Sequence, residues 1–132
     1  MKLHIVTPEG CVFSDDVRSV IVRTTEGDVG ILKNHTNYVA VIAYGMLKIT
    51  DTEGHARIAA CMNGFVSAEA EQVRVIVTTF EFADEIDINR ANLAKEKAEE
   101  SLKSAKEERD IAIAKAKLLR AIARIDVASE NI

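Results

Sequence analysis

The chain has no tryptophan, one proline and two cysteines in 132 residues. So few cysteines exclude a disulfide-stapled scaffold, and neither Cys11 nor Cys61 belongs to a C-x-x-C pair, so no redox or zinc motif is present. Both thiols are expected to be buried, reduced and inert. No apolar run approaches the roughly 18 residues of a transmembrane helix, and the amino terminus begins without an apolar targeting stretch. Positive charge is not in excess: the formal net charge is −4 at pH 7, which argues against nucleic acid as the main partner. A soluble, intracellular protein is expected. His4, His35 and His55 are scattered, without ligands at metal-binding spacing, and no metal site is expected. The segment from Gly27 to Gly30 lacks the spacing and lysine of a phosphate loop. No nucleophile signature gathers serine, histidine and aspartate, so no catalytic residue is assigned.

What is present divides into two halves. Up to about residue 84, short β-branched runs alternate with turn residues. Pro8-Glu9-Gly10, Glu26-Gly27 and Asp51-Thr52-Glu53-Gly54 read as turns, and Asn63-Gly64 as a tight reversal. Val73, Val75 and Val77 alternate with Arg74, Ile76 and Thr78, giving one wholly β-branched face. Such spacing predicts a sandwich or barrel.

From Asp84 onward glycine and proline vanish, and strong helix formers take over. Asp87 is placed to cap a first helix. Ile88, Ala91, Ala94, Ala98, Leu102 and Ala105 make one stripe; Ile111, Ala114, Leu118, Ile122 and Ile125 make a second. At about 0.8 kcal/mol per buried methylene, a stripe of alanines holds weakly, so this half should be the less stable. Residues 103–110 are polar but contain no obligate breaker. Ser104 or Asp110 can cap a second helix, and a continuous helix of roughly 60 Å is equally allowed. Composition favours the folded-back hairpin.

Three segments, in order, closely resemble the epsilon subunit family of F-type ATP synthases. Residues 27–36 are similar to the family's Gly-x-x-Gly-Ile/Val-Leu-x-x-His segment, with Lys33 where proline is usual. Asn63-Gly64-Phe65-Val66 is like its Gly-Gly-Phe strand entry, with Asn63 in place of one glycine. Ile86-Asp87-Ile88-Asn89-Arg90-Ala91 matches the Ile-Asp-x-x-Arg-Ala motif of bacterial, ATP-binding members. The resemblance spans the chain. It implies an α+β architecture: a β-sandwich of about ten strands over residues 1–84, then an antiparallel two-helix hairpin over residues 85–132.

The resemblance further implies a non-catalytic central-stalk subunit on the cytoplasmic face of a bacterial plasma membrane. Its β domain would bind the gamma subunit and the c-subunit ring. Its helices, when extended, would meet the alpha and beta subunits and inhibit ATP hydrolysis. ATP, as a regulatory ligand rather than an obligatory cofactor, would be held by Glu81, Ile86, Asp87, Arg90, Ala91, Lys97, Arg120 and Arg124. Arg120 and Arg124 are four apart and share a helix face, so two guanidiniums can grip a triphosphate; Lys97 stands where the family usually has arginine and lacks the planar fork. A plain reading of the same charges is a solvated helix face. Two other functional classes compete: a β-sandwich adaptor whose helices pair with a second copy as a coiled coil, and a small enzyme with a site between the halves.

Overall fold

The computed structural model describes residues 1–130; residues 131 and 132 of the second predicted domain lie outside the described residues. The chain forms two compact units, Met1–Phe82 and the residues from Ala83 onward.

The first unit contains β1 (Lys2–Thr7), β2 (Gly10–Thr24), β3 (Gly27–Leu32), β4 (Tyr38–Asp51), β5 (Ala56–Ala68) and β6 (Gln72–Phe82). The sheet runs β1-β6-β5-β4-β2-β3, and β1 also pairs with β2, which closes five strands into a ring with β3 as an outer edge. β1 and β6 run parallel; the other pairs are antiparallel. Closure leaves one flanking strand to protect instead of two long open edges. Alternation sets the core. Val73, Val75 and Val77 point inward with Leu3, Ile5, Val20 and Val22, all essentially without solvent contact.

Six strands stand among the described residues where about ten were expected. The apolar runs at 39–43 and 46–50 are one strand, β4, which passes straight through Gly45. β5 likewise absorbs the runs 56–62 and 65–68. Asn63-Gly64, expected to reverse the chain, lies inside β5. Asn63 takes a positive φ of 55° without ending the strand, and the pairing register is the same before and after it: Met62 opposes Thr79 and Gly64 opposes Val77. β2 shows why strand counting from short runs fails. Its first half pairs with β1 and its second half with β3 and β4, across a register irregularity between Val17 and Ser19.

The expected turns elsewhere are present. Thr24 is buried, donates to the Gly27 carbonyl at 2.8 Å and accepts from the Glu26 N–H at 3.2 Å, tying the β2–β3 turn. At the β4–β5 turn the N–H groups of His55 and Glu53 both donate to Asp51 Oδ1 at 2.9 Å. The His55 bond foremost holds the Asp51 carboxyl below its usual range. Cys61 is buried in the core, whereas Cys11 is exposed, against expectation. Cys11 lies in the part of β2 paired with β1, where the strand's inward alternation has not yet begun.

The second unit opens with a 3-10 turn, Ala83–Glu85, followed by α1 (Ile88–Ser104) and α2 (Glu108–Glu130). Asp87 caps α1: its carboxylate accepts from the Arg90 N–H at 3.1 Å, as the sequence predicts. The helix ends at Ala105, whose backbone turns extended, and residues 105–107 join the helices into a hairpin. Neither expected second cap is used that way. The Ser104 hydroxyl donates back to the Glu100 and Ser101 carbonyls, and Asp110 lies in the first turn of α2. The buried seam is narrower than the predicted stripes: Ala91 and Ala98 on α1, Ala114, Ala121 and Val127 on α2. Ile88 is exposed instead, and the large residues at 102, 111, 118, 122 and 125 are only half-buried. Side chains without bulk at the seam let the two helices approach closely.

Candidate functional site

Two chemically different surfaces stand out, one on each unit. On the helical unit, Lys97 and Ser101 are four apart on α1, while Lys117, Arg120 and Arg124 recur at spacings of three and four on α2. These residues face one another across a cleft of about 390 Å³, completed by Ala94 and Ala98. The small alanines leave the space; the cations line it. No carboxylate contributes to its wall. Among the described residues, no ion pair engages Lys97, Lys117 or Arg120. A chain of net charge −4 thus concentrates four cations at one cleft, the arrangement that recognises a polyanion.

The predicted nucleotide residues are distributed unevenly. Lys97, Arg120 and Arg124 are brought together by the hairpin. Asp87 uses its carboxylate to cap α1, Arg90 is exposed on the first turn, and Ala91 is buried in the seam. Ile86 is half-buried between the 3-10 turn and the cap. None of these four lines the cationic cleft. Glu81 belongs to β6 in the other unit, where it opposes Ala60. Lys117 and Ser101 were not foreseen as site residues. The signal for Lys117 was legible, because it precedes Arg120 by three and Arg124 by seven on one helix face.

On the β unit, three exposed apolar side chains stand in one row across three strands. Val41 opposes Phe65, and Phe65 opposes Ile76; they are 59%, 40% and 39% exposed. Val39, two residues before Val41 on the same face, extends the row. Val12, Ile21 and Leu32 are also exposed on this unit, but the contiguous row across three strands makes the Val41 face the candidate contact surface. At the far end of β6 a separate cluster is internally satisfied: Arg57 stacks 3.5 Å from the Phe82 ring centre, and Phe13 and Phe80 meet Phe82 edge-on.

Sequence comparison resolves the kinship. Residues 1–83 match the model of the ATP synthase delta/epsilon chain β-sandwich domain, and residues 84–129 match that of the delta/epsilon chain long α-helix domain. The chain belongs to this family. The protein called ATP synthase epsilon chain in Ruminococcus albus is 40% identical over 131 residues, covering 98% of this chain and 97% of that one. Its counterpart in Bacillus velezensis is 38% identical, covering 97% and 96%. In Alkaliphilus oremlandii the counterpart is 44% identical over 81% of this chain and 79% of its own. A chain of the Euglena gracilis mitochondrial ATP synthase structure superposes with a TM-score of 0.80 at 21% identity, over 98% of this chain and 78% of its own. One from the Tetrahymena thermophila mitochondrial ATP synthase central stalk and c-ring gives 0.64 at 14%, over 99% and 95%. The last two show the fold. As an epsilon-type chain the protein is a non-catalytic member of its assembly.

Proposed function

We propose that this chain is the central-stalk epsilon subunit of a bacterial F-type ATP synthase, coupling ion-driven rotation to ATP synthesis and restraining ATP hydrolysis through its carboxy-terminal helices. The β unit is the docking module for the gamma subunit and the c-subunit ring. The apolar row Val41–Phe65–Ile76 supports this, because it offers desolvation energy with no partner inside its own unit. The complex would lie on the cytoplasmic face of the plasma membrane, where extended helices would reach the alpha and beta subunits.

ATP is the regulatory ligand in this reading, and the cationic cleft carries it. Lys97, Arg120 and Arg124 come from two helices, so the cleft exists only while the hairpin is folded. A ligand there stabilises the folded hairpin over the extended one by its excess affinity for the folded form. ATP would thus favour the permissive state. The seam opposes extension only weakly, because it is built largely of alanine.

The adaptor reading needs an α1 or α2 face free to pair with a second copy. The two alanine faces are instead buried within one hairpin. The decisive test adds the purified chain, intact or truncated after Asp84, to a rotary ATPase head that lacks this subunit. Both forms should co-elute with gamma, and only the intact chain should slow hydrolysis. Failure of both forms to bind gamma rejects the rotor assignment.

A further inference from the structure

The foreseen nucleotide contacts include three cations of the cleft, but the cleft has four. Lys117 lies on the same face of α2 as Arg120 and Arg124 and lines the cleft beside them. From Arg124 to Lys117 the helix advances about 10 Å at 1.5 Å per residue, so the three charges form a line along the axis rather than a point. Lys97 faces that line from α1, and Ser101, one turn further along α1, offers a hydroxyl at the Lys117 end. Beyond Lys117 the chemistry changes. A second cleft of about 330 Å³ continues toward the helix connection, and Lys117 and Ser101 line both. Its further wall carries Asp110, Ser104 and Ile113, with an acidic group and no further cation. The positive line therefore ends at Lys117.

We infer that Lys117 is a phosphate-binding residue that holds the distal end of a linear polyphosphate lying along α2, and that it sets the number of phosphoryl groups the cleft prefers. Arg124, Arg120 and Lys97 bind the groups nearer the nucleoside; Lys117, assisted by the Ser101 hydroxyl, meets the last. A lysine suits this place. It is a compact point charge on a flexible stem, able to follow a terminal phosphate that carries more charge than the bridging ones. Asp110 repels any anion that extends past Lys117, which limits the length accepted. This rests on the nucleotide reading of the cleft for the nucleoside end only, since the polyphosphate end can be probed without a nucleoside.

The test is calorimetric titration of the full chain with inorganic tripolyphosphate, pyrophosphate, ATP and ADP at one fixed ionic strength. Three variants are compared: Lys117→Met, Lys117→Arg and Lys115→Met. Lys115 is an exposed α2 lysine outside both clefts and controls for loss of overall charge. Lys117→Met should weaken tripolyphosphate and ATP about tenfold, the loss of one charge-assisted contact, and weaken pyrophosphate and ADP less than twofold. Lys117→Arg should restore most of the affinity, and Lys115→Met should change it less than twofold. Equal losses for ATP and ADP in Lys117→Met, or none for either, overturn the assignment. So does a native chain that binds no tripolyphosphate. Tripolyphosphate binding with no gain for ATP rejects the nucleotide reading while leaving Lys117 as the polyphosphate ligand.

Discussion

Gly64 on β5 and Ile76 on β6 are so close that a methyl group on the glycine would stand 1.8 Å from the Ile76 carbonyl oxygen. The glycine thus serves close backbone approach, since its own φ is not positive and the obstruction is main chain, which no rotamer change can move. Gly64→Ala is expected to destabilise the β unit by about 3 kcal/mol, at the upper end of overpacking costs. Urea denaturation followed by circular dichroism should show a lower midpoint with an unchanged slope. A midpoint equal to that of the native chain would mean that β5 and β6 separate freely enough to admit a methyl group.

That relationship also shows why the fold was only partly legible. Asn63-Gly64 carries the composition of a tight turn, and local propensity alone cannot distinguish a turn from a strand that needs a glycine for contact with its neighbour. The same ambiguity at Gly45, where the nearest obstruction is the Arg23 side chain, split one strand into two on paper. The alternation of Val73, Val75 and Val77 and the Asp87 cap were legible because each depends on neighbours within a few residues. Ring closure of the sheet was not, because the parallel β1–β6 pairing joins segments from opposite ends of the unit with no local signal of one another. At the site, i and i+4 spacing put Arg120 and Arg124 on one helix face, while their assignment to a ligand came from the family resemblance. The cleft itself depends on how closely alanine faces bring two helices together, which periodicity does not report.

The two thiols should differ sharply. Burial pushes the Cys61 thiol up to about 12, whereas Cys11 is exposed, its thiol donating to the Phe13 carbonyl at 3.3 Å. At pH 9 a group with such a value has roughly one thiolate per thousand molecules, and burial also blocks the reagent. Ellman titration of the native chain should count one fast thiol up to pH 9, and two after denaturation. Two fast thiols in the native state would show that β5 opens readily.

The apolar row predicts a variant that folds but does not dock. Val41 is 59% exposed, so Val41→Lys removes little buried surface and should change stability by about 1 kcal/mol or less, the span of strand propensities. Its charge would stand beside Phe65 at the centre of the row. Co-elution with gamma is expected to fall at least tenfold relative to the native chain. Undiminished co-elution would place the rotor contact on another face.

Removing the Asp87 carboxylate tests the entry to the hairpin. Asp87→Ala leaves the Arg90 N–H without its side-chain acceptor and should cost about 1 kcal/mol of helix stability, the usual loss on deleting an N-cap. Hydrogen exchange should speed up in the first turn of α1 and leave β1–β6 unchanged, because the two units are separately compact. If the proposed hairpin brake is governed by folding of α1, the same variant should inhibit hydrolysis more strongly at low ATP.

In the proposed reading, a variant at Arg120 should separate docking from regulation. The Arg120 guanidinium lines the cleft of the helical unit, whereas the residues proposed as rotor contacts belong to the β unit, so Arg120→Ala should co-elute with gamma as the native chain does. Loss of one charge-assisted contact of about 2 kcal/mol corresponds to roughly a thirtyfold weaker grip on a polyphosphate. The ATP concentration that relieves inhibition of the reconstituted head should rise by a similar factor, while inhibition in the absence of ATP stays unchanged. An unaltered ATP dependence would reject the cleft as the regulatory site. Weakened inhibition without ATP would instead assign Arg120 to the extended state, where it would contact the head directly.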